Sequence, residues 1–216
     1  MPILLLIRHG ENDYVKTHRL AGRGPGVHLN DKGRVQAAAL AEALKHVPLA
    51  AVYSSPLDRA LETAEPIASA RALPIRSLPA LMDGDVGQWQ GEDLRRLSRL
   101  PEWKTVQRSP SRFRFPGGES FMEQQSRLVT GIELLTREHE PTSILALVFH
   151  ADPIRLVLAF FLGMPLDYFQ RLGCAPGSVS IVAVNETGAF LHGLNLLPPF
   201  TMPSAPRRRG RRRKSA

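Results

Sequence analysis

A single cysteine, Cys174, stands among the 216 residues, so no intramolecular disulfide can hold the fold. A reducing compartment fits that count. No apolar run approaches the ~20 residues needed to span a bilayer, which argues against a membrane protein. The start, Met1-Pro2 followed at once by an apolar stretch, has no basic n-region and no cleavage site. A cytoplasmic enzyme is therefore expected. No His-x-x-x-His or Cys-x-x-Cys pair occurs, and His18, His28, His46, His139 and His192 are scattered, so no metal site is expected. Gly22 to Gly26 lacks the Lys-Ser/Thr ending of a phosphate-binding P-loop and follows no strand directly, which excludes a nucleoside triphosphatase of that kind. There is no internal repeat.

What is present suits one domain with a sizeable core: 23.9 kDa, 43% hydrophobic and 22% charged. The formal charge of +8 is misleading. Seven basic residues lie between Arg207 and Lys214, and without them the balance falls to +1. The sequence predicts a folded domain over 1–197 and a disordered Pro/Arg-rich tail over 198–216. Weak, non-specific and salt-sensitive contact with nucleic acid is the effect expected of that tail.

In chain order, Ile3 to Ile7 is short and branched enough to be a buried strand, and it stops on Arg8-His9-Gly10-Glu11. Residues 13–28, rich in glycine and cations, read as a loop over the end of that strand. Asn30 caps a helix from Asp31 with Ala37, Leu40, Ala41 and Leu44 on one face. Ala50 to Tyr53 is the second strand. Ser55 is expected to cap the next helix with Pro56 at its first position, and Arg59 sits in its first turn on the way to about Ala72. Pro74 to Leu78 gives a third strand, and 92–115 mixes short helical pieces with basic loop. A long helix follows Gly117-Gly118-Glu119-Ser120, with Phe121, Leu128, Ile132 and Leu135 inward. Ile144 to Phe149 is a strand ending on His150, and Ala151 to Leu162 an apolar helix. Ser178–Val184 and Ala189–Leu194 form a closing hairpin. Strands alternating with helices predict an α/β three-layer sandwich: a mostly parallel central sheet, helices on both faces, and room for an antiparallel edge strand.

Two strands far apart in sequence thus each end in an imidazole, His9 and His150. Ligands of open α/β sheets bind beyond the carboxyl ends of the strands. Arg8 and Arg59 bring two guanidiniums, whose planar forks suit phosphate oxygens. Histidine is a competent nucleophile, and phosphoryl transfer then needs positioning, positive charge and an acid for the leaving oxygen.

These blocks resemble the histidine phosphatase superfamily, in its phosphoglycerate-mutase-like branch. The resemblance spans about 3–195. It rests on Arg8-His9-Gly10-Glu11, Leu29-Asn30-Asp31-Lys32-Gly33, Tyr53 to Ala60 with Thr63-Ala64, Asp83 to Gly91, Pro116 to Ser120, and His150 to Arg155. It implies a metal-independent phosphomonoesterase that needs no cofactor and passes through a phosphohistidine on His9. A phosphomutase is the alternative; a non-catalytic binding module has no need of this residue set. The resemblance gives the phosphoryl oxygens to Arg8, Arg59 and His150, and the proton donor to Asp83, four residues before Gly87. Asp85, two residues on, is the other candidate. Glu11, Asn12 and Ala151 are the further substrate-side residues. Asn12 stands in for a family amide replaced here around Tyr14-Val15, and Ala151 follows the second imidazole where glycine is common. The substrate is a phosphorylated small molecule of unspecified identity.

Overall fold

The computed structural model describes residues 2–185 and 188–202. The basic run from Arg207, and with it the predicted nucleic-acid contact, lies outside them. Residues 198–202, assigned by the sequence to the tail, are described, and Phe200 and Met202 pack against the core. The packed chain therefore runs on at least to Met202.

Six strands, β1 (Ile3–Arg8), β2 (Leu49–Ser54), β3 (Ile75–Ser77), β4 (Ile144–Phe149), β5 (Val179–Asn185) and β6 (Gly188–Leu196), form one sheet. Their order is β3-β2-β4-β1-β5-β6. The first four are mutually parallel. β5 pairs antiparallel with β1, and β6 antiparallel with β5, so the closing hairpin supplies the antiparallel edge. The helices are α1 (Asp13–Lys16), α2 (Asp31–Leu44), α3 (Asp58–Ser69), α4 (Leu94–Leu97), α5 (Trp103–Arg108), α6 (Phe121–Arg137) and α7 (Ala151–Phe161).

Alternation along the strands sorts the core into two layers. Leu4 and Leu6 of β1, with Leu145, Leu147 and Phe149 of β4, face Leu128 and Ile132 of α6 and Val157 of α7. Leu5 and Ile7, with Ala146 and Val148, face Leu40 of α2 and Ala64 and Ile67 of α3. The sheet is buried on both sides, as near-continuous apolar strands require.

Two predicted boundaries move for a physical reason. α3 starts at Asp58, not Pro56, with Leu57 at its N-cap. Ser55 is not the cap, because its backbone N–H still donates to Val148 O at 2.9 Å, continuing the sheet. The loop over 13–28 contains α1, which Asn12 caps by accepting from the Val15 N–H at 2.9 Å. Asn30 caps α2 as expected by accepting from Gly33, and Ser120 opens α6 with a capping box to Glu123 that the sequence expectations did not include.

Candidate active site

The parallel pairing of β1 with β4 sets Arg8 opposite Phe149, so both strands run out at the same level. The His9 N–H donates to Phe149 O at 3.0 Å, and the His9 and His150 rings lie 5.2 Å apart by centroid. Residues 141 positions apart become neighbours through strand register alone. After His9 the chain turns tightly against α2. A Cβ on Gly10 would lie 2.5 Å from Gly33 O, and one on Gly33 would lie 2.0 Å from Glu11 O. Only glycine allows the two backbones this approach. The Gly10 N–H donates to Thr63 Oγ1 at 3.0 Å, which fastens the turn to α3.

The tautomer of His9 follows from its neighbour. Nδ1 lies 2.7 Å from Gly10 O, and a carbonyl only accepts, so Nδ1 carries the proton and Nε2 keeps its lone pair. Burial, and then the charges of Arg59 and Arg8, holds the His9 pKa well below the ordinary imidazole value. His150 is pushed down in the same way by burial, Arg59 and His9. Both rings are neutral nitrogen bases near pH 7. Nε2 of His150 lies 2.9 Å from Ser55 Oγ, a partner that reading Ser55 as a helix cap had missed.

Arg59 is 1% exposed on the first turn of α3, and its Nη2 donates to Gly22 O at 2.7 Å and to Asp83 Oδ2 at 2.9 Å. Thr63, one turn on, lies on the same face. Arg8 Nη1 donates to Cys174 O at 2.6 Å. Asp83 Oδ2 is also 3.6 Å from His150 Nδ1. Burial raises the Asp83 pKa above the usual carboxylate value, against the pull of Arg59. The loop that carries it is braced from below. Arg127 Nη1 donates to Ala80 O and Met82 O, and Arg23 Nε donates to Asp83 O at 2.9 Å. Glu119 joins Arg23 and Arg127 at 2.8 and 3.0 Å, so this residue holds the loop.

The cleft beside these groups has a volume of about 470 Å³. Arg8, His9, Asn12, Arg59, Asp83 and Ala151 line it. Two sequence expectations come apart here. Asp85 does not line the cleft; its Oδ1 accepts from the Gly87 N–H, and its Oδ2 faces Arg23. Glu11 does not reach the cleft either. Its carboxylate is taken by Lys32 Nζ at 2.8 Å and Asn30 Nδ2 at 3.2 Å, and those bonds hold the His9 turn against α2.

Five buried side-chain nitrogens have no hydrogen-bond partner among the described residues: Arg8 Nε, Asn12 Nδ2, Arg59 Nη1, Gln124 Nε2 and His150 Nδ1. Each unpaired buried group costs about 1–3 kcal/mol. Four belong to cleft residues, and the fifth to the ring packed on His9. The donors of Arg8, Asn12, Arg59 and His150 suit a ligand group with several acceptor oxygens and negative charge, and the Gln124 amide adds a neutral donor beside them. The N-terminus of α7, which starts at Ala151, adds a favourable dipole there.

The model of the histidine phosphatase superfamily (branch 1) matches residues 4–197. The chain belongs to that superfamily. Among its relatives is phosphoserine phosphatase 1 of Hydrogenobacter thermophilus, 30% identical over 198 residues, covering 89% of this chain and 92% of that protein. Glucosyl-3-phosphoglycerate phosphatase of Mycolicibacterium vanbaalenii is 33% identical over 178 residues, covering 79% of this chain and 78% of its own length. The structure of a mycobacterial glucosyl-3-phosphoglycerate phosphatase in complex with VO3 matches with a TM-score of 0.82 at 26% identity. That match covers 90% of this chain and 99% of the other. This histidine phosphatase is thus a phosphoric monoester hydrolase by class. Among its described residues no group of three His, Cys, Asp or Glu side chains could hold a metal ion, and no helix is long and apolar enough to cross a membrane.

The two buried imidazoles of the phosphatase make its stability sensitive to acid. Their folded pKa values lie below the unfolded value of about 6.5, so below that pH the unfolded chain binds more protons. Stability is therefore expected to fall on acidification, by up to about 1.4 kcal/mol per pH unit for each ring. The melting temperature of His9→Gln should fall less steeply below pH 6.5 than that of wild type. An identical acid dependence in the two proteins would contradict neutral burial of His9.

Proposed function

We propose that His9 Nε2 attacks the phosphorus of a phosphate monoester, forming an N–P bond as the P–O bond to the leaving group breaks. Asp83, protonated, gives its proton to the departing alkoxide oxygen. In the second half a water attacks the phosphohistidine, Asp83 takes one of its protons, and inorganic phosphate leaves with His9 restored. Arg8 and Arg59 neutralise the phosphoryl oxygens, and His150 and the Asn12 amide orient them throughout. The observation that carries this reading is the neutral His9, with its lone pair on Nε2, set among converging donors without partners. Asp83 is favoured over Asp85 as the acid because it lines the cleft and burial raises its pKa. A cytoplasmic setting accords with the unpaired Cys174.

The test is a screen of phosphate monoesters with and without 2,3-bisphosphoglycerate. Steady phosphate release that needs no bisphosphoglycerate is expected. Transfer of the phosphoryl group to a phosphoglycerate, only when the bisphosphate is present, would establish the mutase instead.

Positive charge at the site is already supplied by arginine, so activity is expected to survive dialysis against EDTA. Loss of activity restored by magnesium or zinc would contradict the proposed chemistry.

A further inference from the structure

The cleft is far larger than a phosphoryl group, and its two ends differ in chemistry. One end holds Arg8, His9, Arg59 and Asp83. The rest of the lining includes a wall of six large apolar side chains, Leu20, Leu94, Trp103, Val106, Phe115 and Phe121, along with the polar His18, Arg19, Gln107, Asp152, Arg155 and Gln170. We propose that the leaving group is an uncharged alcohol with an apolar body, held on this wall next to the phosphoryl site. The inference rests on the phosphatase reading above and specifies its substrate.

The aromatic part of the wall is braced by its own ring contacts. Trp103 stacks on Trp89 at 6.1 Å between centroids, and Trp89 meets Phe115 edge-on at 5.6 Å. Phe115 meets Phe121 at 5.3 Å, and Phe121 meets Phe169 at 5.1 Å. Interlocked aromatic rings have few rotamers to lose on binding, so the apolar surface is pre-organised.

Charge in the cleft argues the same way. Arg59 donates to Asp83 and, with Arg8, is assigned to the phosphoryl group in the proposed reaction. Arg155 is held by Asp152 at 2.9 Å and by Leu172 O at 2.8 Å. Arg19 is held with its guanidinium 4.9 Å from the centre of the Tyr14 ring and its Nε on Gly91 O. His18 is exposed at the rim, and the six apolar side chains themselves carry no cation. A carboxylate on the leaving group would be buried there unpaired, which is costly, whereas a hydrocarbon or ring would gain by leaving water.

One neutral donor stands beside the wall. Gln124 is 1% exposed, and its Nε2 has no partner among the described residues. It packs so closely on Gly84, next to Asp83, that a Cβ there would lie 2.5 Å from Gln124 Oε1. An amide at this point suits a neutral acceptor such as a hydroxyl or ether oxygen close to the scissile bond.

The experiment compares two esters with the same primary alkyl phosphate and opposite ends, 4-phenylbutyl phosphate and 5-(phosphonooxy)pentanoate, with p-nitrophenyl phosphate as the activity control. The full-length enzyme should show a kcat/KM at least about tenfold higher for the phenyl ester. Leu94→Lys, which puts a cation on the wall at a partly exposed position, should shrink or reverse that ratio. A parallel measurement needs no variant: 4-phenylbutanol should inhibit wild-type p-nitrophenyl phosphate hydrolysis at lower concentration than 5-hydroxypentanoate. Equal rates on the two alkyl esters, a preference for the carboxylate, or inertness of both while the control is hydrolysed would overturn the leaving-group assignment alone. No hydrolysis of any of the three would overturn the phosphatase reading together with it.

Discussion

His9→Ala is expected to lose turnover by about a thousandfold or more on every phosphate monoester while keeping its fold. Removing a nucleophile removes the whole covalent route, and losses of that order or larger follow when such groups are deleted. The fold should survive because His9 follows β1 outside both apolar layers, and its side-chain hydrogen bond is to the adjacent Gly10 O. Deleting the ring also removes a buried titratable group that burial keeps neutral. Circular dichroism and a melting curve establish the fold, and phosphate release the turnover. A folded His9→Ala protein with turnover near wild type would end the proposed mechanism.

The second large effect is selective. Asp83→Asn is expected to slow hydrolysis of an alkyl phosphate by about 10²–10⁴-fold, the usual contribution of a general acid. p-Nitrophenyl phosphate should lose much less, because p-nitrophenolate departs without a proton. The variant keeps an oxygen for Arg59, whose Nη2 also donates to Gly22 O, so the guanidinium stays in place. A pH comparison sharpens the test. Only protonated Asp83 serves as the acid, so the wild-type advantage over Asp83→Asn on one alkyl ester should shrink as pH rises past the raised carboxyl pKa. Taking the ratio on one ester cancels the ester's own ionisation. Selective loss of alkyl esters in Asp85→Asn, with Asp83→Asn unaffected, would move the acid by two residues; selective loss in neither would point away from both.

Much of this arrangement is legible in the sequence because it depends on strand ends. A short apolar run that halts on Arg8-His9-Gly10 and another that halts on His150 locate the site without coordinates, and parallel pairing does the rest. The helix capped by Asn30 is equally readable, and so is the start of the long helix after Gly117-Gly118-Glu119-Ser120. Ser55 was misread because Ser-Ser-Pro before a helix is also a capping pattern. What overrides it is the tertiary demand of the sheet, through the bond to Val148 O, and of His150 Nε2. Asp83 and Asp85 could not be separated by spacing, since both sit in an extended loop. Their roles diverge through Arg59 on one side and Arg23 on the other. Glu11, a substrate-side candidate that the sequence also reads as orienting the His9 loop, is held in the second role by Lys32 and Asn30. The aromatic wall has no sequence code at all. Trp89, Trp103, Phe115 and Phe121 come from a short turn, the start of α5, a loop and the start of α6, and only packing brings them together.

The central claim is a covalent phosphoryl group on His9. Rapid mixing of the enzyme with p-nitrophenyl phosphate, quenched in alkali and analysed by mass spectrometry of its peptides, reads that bond directly. The account predicts a phosphoryl group on the peptide containing His9, formed before steady-state phosphate release and absent from His9→Ala. Full catalytic turnover with no phosphoryl adduct on His9, or with the adduct on another residue, would contradict it.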